Sequence, residues 1–129
     1  MISNEQLYAE AKRASKKAYA PYSKFQVGAA LLTRAGVIYR GCNVENASYG
    51  NTICAERTAI VKAVSEGDRD IEAIAVYTES GDLSPCGACR QFISEFGADI
   101  QVVYRSSEQI ISKAISELLP DSFSDQNLR

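Results

Sequence analysis

Ile71-Glu72-Ala73-Ile74-Ala75-Val76-Tyr77-Thr78, followed after six loop residues by Pro85-Cys86-Gly87-Ala88-Cys89-Arg90-Gln91-Phe92-Ile93, is the stretch that decides the architecture. Its first half is β-rich and continuously apolar at the centre, as in an interior strand covered on both faces. Its second half sets Cys89, Phe92, Ile93 and Phe96 on one helical stripe that ends at Gly97. Ile100 to Tyr104 reads as the next short strand. Upstream, a helix runs from about Ile53 to Glu66 and is closed by Gly67. Before it, Phe25 to Thr33 and Val37 to Gly41 form a hairpin around Ala35-Gly36. The chain opens with a capping box, Ser3 and Gln6, then Leu7, Ala11, Ala14 and Ala18 at helical spacing until Pro21 intervenes. Asn43 to Thr52 is a polar loop, residues 106–115 carry no decisive pattern, and Ser116 to Leu119 suits one short turn before Pro120. Helix, hairpin, helix, strand, helix, strand predicts an α/β layered sheet with some parallel pairing.

A length of 129 residues fits one domain over 1–129, with no repeat or linker. Hydrophobic residues make up 46% and charged residues 23%, enough apolar material for a core without disulfides. The net charge of −2 gives no electrostatic footprint for nucleic acid. The one basic cluster, Lys12, Arg13, Lys16 and Lys17, lies late in the first helix, where cations are favoured. No apolar run approaches the roughly 18 residues a bilayer requires, and Met-Ile-Ser-Asn-Glu lacks the pattern of a secretion signal. A cytoplasmic protein is expected, and four cysteines there point to metal or redox chemistry. The absence of histidine removes Ser-His-Asp and Cys-His catalysis. Any zinc must be held by sulfur or oxygen.

Cys54-Ala55-Glu56 and Pro85-Cys86-Gly87-Ala88-Cys89 offer three thiolates and a carboxylate beside them. Three ligands with an open fourth position distinguish a catalytic zinc from a closed structural one. Thr52 and Ser84 each stand two residues before a cysteine, as N-caps would. Cys54 and Cys86 are therefore predicted in the first turn of a helix, where free N–H groups lower a thiol's pKa. Cys86 and Cys89 share a helix face that continues into the apolar stripe, so the metal is expected at the base of a pocket. Three thiolates around a divalent ion leave one net negative charge. Arg57, directly after Glu56 at this helix start, suits the task of offsetting it by donating to sulfur; a surface arginine on the exposed side of the helix is the lesser alternative. A lone Cys-x-x-Cys also suits a redox pair or half of a structural site. Cys42, twelve positions before Cys54, is a poor fourth ligand and reads as a small buried thiol.

With these residues in place, the chain resembles the small homotetrameric cytidine deaminases, which are zinc-dependent nucleoside deaminases. The resemblance rests on Cys42-Asn43-Val44-Glu45-Asn46-Ala47, Cys54-Ala55-Glu56-Arg57-Thr58-Ala59, Ser84-Pro85-Cys86-Gly87-Ala88-Cys89-Arg90-Gln91 and Glu117-Leu118-Leu119-Pro120-Asp121-Ser122-Phe123. It implies a three-layer α/β/α sandwich with a mixed, mostly five-stranded sheet. It implies hydrolytic deamination of cytidine and 2'-deoxycytidine to uridine and 2'-deoxyuridine plus ammonia, in pyrimidine salvage. One zinc per chain would be bound by Cys54, Cys86 and Cys89, with Glu56 as the proton shuttle. Asn43 and Glu45 would meet the ribose hydroxyls, Phe25 would pack beside the substrate, and the Ala55 N–H would meet the pyrimidine carbonyl. Ala47, Tyr49 and Phe123 would reach a neighbouring subunit's site in a homotetramer with shared active sites. By spacing alone Phe25 reads as strand core, Tyr49 as loop packing, Phe123 as a tail, and Asn43 and Glu45 as loop organisers. A relative acting on an aminoacylated cytosine nucleoside is a competing enzyme reading, and a zinc-stabilised binding module competes from outside enzymes. An editor of nucleic acid, or a membrane protein, is not expected.

Overall fold

The computed structural model describes residues 2–128. Helix α1, Asn4–Ser15, begins at the predicted box: the Ser3 hydroxyl accepts from the Gln6 N–H at 3.1 Å, and the Ser3 N–H donates to Gln6 Oε1 at 2.7 Å. It ends three residues short of Ala18. The backbone of Tyr19 is taken by the loop after the hairpin, with Tyr19 N donating to Asn43 O at 3.0 Å and Glu45 N donating to Tyr19 O at 2.8 Å. Strands β1 (Val27–Thr33) and β2 (Ile38–Cys42) form the hairpin, turning at Gly36 with φ +94°. A short turn of helix at Tyr49–Asn51 precedes α2, Ala55–Ser65. Strand β3 is Ile71–Thr78, as read from the sequence, and α3 is Gly87–Ser94. Strands β4 (Gln101–Ser106) and β5 (Gln109–Ala114) close the sheet, followed by the short α4, Ile115–Leu118.

The sheet has five strands in the order β2-β1-β3-β4-β5. Among the strand pairs of the described residues, β3 and β4 alone run parallel, from Ala73 opposite Gln101 to Ala75 opposite Val103, and the remaining pairs are antiparallel. Side chains alternate across a strand, so β1 feeds two cores. Ala29 and Leu31 pack with Ala59, Ile60, Ile93 and Ile100 beneath α2 and α3, whereas Ala30 and Leu32 pack with Leu7 and Ala11 of α1. The result is the three-layer sandwich.

Two glycines let the outer helices lie close to the sheet. A Cβ at Gly28 would overlap the backbone of Ala11 and Ser15 in α1, and one at Gly41 would come within 2.5 Å of the Ala59 nitrogen in α2. The segment without a readable pattern, 106–115, holds the turn and second strand of the β4–β5 hairpin. Its two turn residues, Ser107 (φ +51°) and Glu108 (φ +66°), adopt left-handed backbone without glycine. The carboxylate of Asp82, distant in sequence, accepts from both their N–H groups, at 2.9 and 3.4 Å.

Candidate active site and metal centre

Helices α2 and α3 begin side by side at one end of the sheet. Cys54 and Cys86 are themselves the N-caps of these helices, with extended backbone (φ −71°, ψ 155° and φ −69°, ψ 170°). This corrects the placement inside the first turn. The Cys54 carbonyl already accepts the first helical bond from Thr58 N at 3.0 Å, and the Cys86 carbonyl accepts from Arg90 N at 2.9 Å. Neither side chain caps its own helix, so neither sulfur is spent on a backbone N–H. Thr52 and Ser84 lie further out and serve elsewhere: Thr52 Oγ1 accepts from Asn46 N at 3.3 Å, and Ser84 Oγ accepts from Arg90 Nη2 at 3.2 Å. Cys89, one turn into α3, is fully buried, while Cys54 is half-buried and Cys86 is exposed.

The three sulfurs lie within 4.8 Å of one another. Ligands at about 2.3 Å around one tetrahedral ion stand roughly 3.8 Å apart. An all-sulfur set of this size suits zinc in softness as well as spacing. Among the described residues no other Cys, Asp or Glu joins the group within that distance. The electrostatics point the same way. Cys54 is drawn down to about 5, first by the hydrogen bond from the Cys89 thiol and then, against the cost of burial, by Arg57. Cys89 is pushed well above its ordinary value by that same bond and by burial. A thiol lowered toward thiolate beside a second sulfur is disposed to take a cation, which would displace the remaining proton.

Arg57 is no free surface residue. Its Nη2 donates to the Thr52 carbonyl at 3.1 Å and to Cys54 Sγ at 3.6 Å, and its Nε is buried without a hydrogen-bond partner. Glu56, in the first turn of α2, is 5% exposed. Burial pushes its carboxyl up to about 7, against a backbone N–H of its own residue that pulls the other way. A carboxyl that titrates there can both accept and donate a proton at neutral pH.

A cavity of about 250 Å³ opens in front of these groups, lined by Phe25, Asn43, Ala55 and Glu56 together with Cys54, Cys86 and Cys89. Its size lies near the lower end of small-molecule sites, roughly 300–1,000 Å³. Phe25 precedes β1 and is 40% exposed, so it forms cavity wall and not strand core. Asn43 is buried, with Oδ1 accepting from Val27 N at 2.9 Å and Nδ2 donating to the Phe25 carbonyl at 2.8 Å. Glu45 lines a neighbouring hollow with Tyr22, Ser23 and Tyr49. Its Oε1 accepts from Tyr22 N at 3.0 Å and Ser23 N at 3.1 Å, and its Oε2 accepts from the Ser23 hydroxyl. Those bonds hold the Glu45 carboxyl below the usual carboxylate range, the Ser23 hydroxyl first among them. Both residues therefore organise the loops at the cavity mouth. Ala47, Tyr49 and Phe123 do not line the cavity and are exposed, Tyr49 resting edge-on against Tyr22 with ring centres 6.2 Å apart. Thr52 and Ser84, expected as helix caps, also line the cavity, as does Leu83, which no motif in the sequence marked as a site residue. Leu83 is an apolar residue inside an otherwise polar loop, and that isolation is its one visible sign.

A larger hollow of about 500 Å³ between α1, β2 and α2 is lined by Arg13, Lys17, Arg40 and Lys62. Glu10 already pairs with Arg13 and Arg40, and Lys62 donates to the Arg40 carbonyl at 2.6 Å. No chemistry converges there.

Comparison with known proteins points to one family. Residues 1–106 match the family model described as the cytidine and deoxycytidylate deaminase zinc-binding region. A cytidine deaminase of Sporosarcina psychrophila is 51% identical over 127 residues, covering 96% of this chain and 93% of that protein. One from Halalkalibacterium halodurans is 48% identical over 98% of both chains. The crystal structure of cytidine deaminase from Burkholderia pseudomallei superposes with a TM-score of 0.89 at 47% identity, over 95% of this chain and 100% of that one. Two helix ends that gather three sulfurs around a buried carboxyl thus sit within the matched region, and the chain belongs to the family of zinc-binding cytidine and deoxycytidylate deaminases.

Proposed function

We propose that this chain hydrolyses cytidine and 2'-deoxycytidine to uridine and 2'-deoxyuridine with release of ammonia, using one zinc ion held by Cys54, Cys86 and Cys89. The carrying observation is that three sulfurs within 4.8 Å of one another and a carboxyl poised at about 7 line one cavity. A zinc ion in that sulfur set supplies Lewis acidity that brings the pKa of water toward ~7. Glu56 is the proton carrier. Its carboxylate takes a proton from the attacking water and passes it to the ring nitrogen beside carbon 4, which makes that carbon electrophilic. The oxygen of that water bonds to carbon 4, and the emptied carboxylate takes the second proton from the new hydroxyl and delivers it to the amino group. The carbon–nitrogen bond then breaks to release ammonia, so one residue acts as base and then as acid. Arg57 moderates the negative charge of the sulfurs through its bond to Cys54.

Binding falls to the cavity wall. Phe25 offers an aromatic face to the pyrimidine, and the Ala55 N–H, one of the unpaired donors at the start of α2, suits the ring carbonyl. Asn43 and Glu45 keep unused acceptor capacity beside their loop bonds and suit the ribose hydroxyls. The exposure of Ala47, Tyr49 and Phe123 supports a homotetramer in which these residues complete a neighbouring subunit's site. A role in pyrimidine salvage in the cytoplasm accords with a small nucleoside substrate, and no helix of the described residues is long and apolar enough to cross a membrane.

Purified protein incubated with cytidine should lose the ultraviolet absorbance of the cytosine ring, release one ammonia per uridine and contain one zinc per chain. Zinc-loaded protein that leaves cytidine and 2'-deoxycytidine unchanged overturns the proposal. In that case, turnover of an aminoacylated cytosine nucleoside would identify the competing enzyme reading.

A further inference from the structure

Of the three sulfurs, that of Cys86 is the one burial does not hold. Cys86 is exposed and stands just outside α3, after a polar loop, whereas Cys89 is packed within the helix and fully buried. The bonds that fix its turn come from Arg90. Its Nε donates to the Pro85 carbonyl at 2.8 Å, its Nη2 to Ser84 Oγ at 3.2 Å and its Nη1 to the Leu118 carbonyl at 2.8 Å. Pro85 has no N–H of its own, so its carbonyl is the backbone handle by which it can be tied. Leu118 ends α4, and α4 is rooted in the core: Ile115 is fully buried and its N–H donates to the Ile100 carbonyl at 2.8 Å. The next residue extends the seam, with Gln91 Nε2 donating to the Phe123 carbonyl at 2.9 Å. A single planar guanidinium thus bridges the turn that presents Cys86 and the carboxyl-terminal segment. Lysine lacks the forked donors to reach three acceptors in different directions.

We propose that Arg90 is a positioning residue for Cys86, and that the segment after β5 belongs to the scaffold of the metal centre. The proposal rests on the assignment of Cys54, Cys86 and Cys89 as the zinc ligands. Without the brace, Cys86 keeps its place in the sequence but loses its fixed distance to the other two sulfurs. The metal then leaves more easily through its exposed ligand.

The test measures zinc release from loaded protein to an excess of chromogenic chelator, together with amide hydrogen exchange over residues 116–123. Arg90→Ala is expected to release zinc about tenfold to a hundredfold faster and to exchange faster over that segment. Arg90→Lys should recover part of both. Leu7→Val, which loosens the α1 face of the sheet, should lower the Tm yet release zinc at the parent rate. Parent-rate release from Arg90→Ala, or equal acceleration in Leu7→Val, overturns the role. If Arg90→Ala does not fold, Arg90→Lys and Ser84→Ala decide the matter: each should accelerate release to a smaller degree, and parent-rate release from both overturns it. A parent chain that takes up no zinc defeats the ligand assignment itself, and the brace with it.

Discussion

Glu56 and Glu45 are carboxylates only eleven positions apart in the chain, yet their surroundings push them in opposite directions. Burial raises Glu56 to about 7, which suits a proton carrier. Glu56→Gln keeps the size of the side chain and removes the proton, so kcat should fall by about 10²–10⁴-fold while metal analysis still finds one zinc per chain. Equal loss of zinc would mean that the carboxylate is a ligand. Glu45 is lowered from 4.5 by the Ser23 hydroxyl and two backbone N–H groups, and its contribution is to the loops. A depressed folded-state pKa stabilises fully above the unfolded value and is lost as pH falls through the folded one. The Tm advantage of the parent over Glu45→Gln should therefore be constant near neutrality and shrink below about pH 4.5. A difference that widens in acid would contradict this linkage.

At the scale of elements, α2 carries Cys54 and Glu56 and rests on β2 at Gly41, whereas α1 rests on the opposite face at Gly28. Adding one methyl at either place should cost about 1–3 kcal/mol or more through forced backbone shifts. The two substitutions should differ in one readout. Gly41→Ala displaces the helix that presents the site and should weaken zinc retention, while Gly28→Ala should lower the Tm and leave retention near the parent value. Thermal melts paired with chelator competition separate them. Helices and central strands were legible because their signals are local. The Ser3–Gln6 box lies within one turn, β3 is a continuous apolar run, and the apolar stripe of α3 ends near Gly97. The turn and second strand of the β4–β5 hairpin were not legible, since the turn is held by Asp82 from outside the segment instead of by an Asn-Gly pair within it. The three cysteines and Glu56 could be picked out because motif spacing and helix starts coincide. The loop duties of Asn43 and Glu45 could not be separated from ligand binding, because backbone partners such as Val27 N and Tyr22 N leave no trace in composition. The helix starts were misplaced by two residues, because a cysteine at the N-cap is not a residue type that capping preferences mark.

For the whole molecule, metal and fold should be thermodynamically linked. A ligand bound a thousandfold above its Kd adds about 4 kcal/mol to the native state. Stripping zinc with a chelator, or replacing a ligand as in Cys54→Ser, should lower the Tm by on the order of 10 °C. An unchanged melting temperature would show that the ion is not held by the folded core. Assembly is a separate test: if Tyr49 and Phe123 complete a neighbour's site, dilution below the dissociation constant of the assembly should reduce specific activity. A fully active monomer in sedimentation would remove that role. The left-handed pair at Ser107 and Glu108 lies on the β4–β5 hairpin and does not line the cavity. Installing Asn-Gly there would relieve a conformational burden of about 1 kcal/mol. The protein therefore holds back a margin of heat tolerance, at a corner outside the cavity wall, that two substitutions would recover.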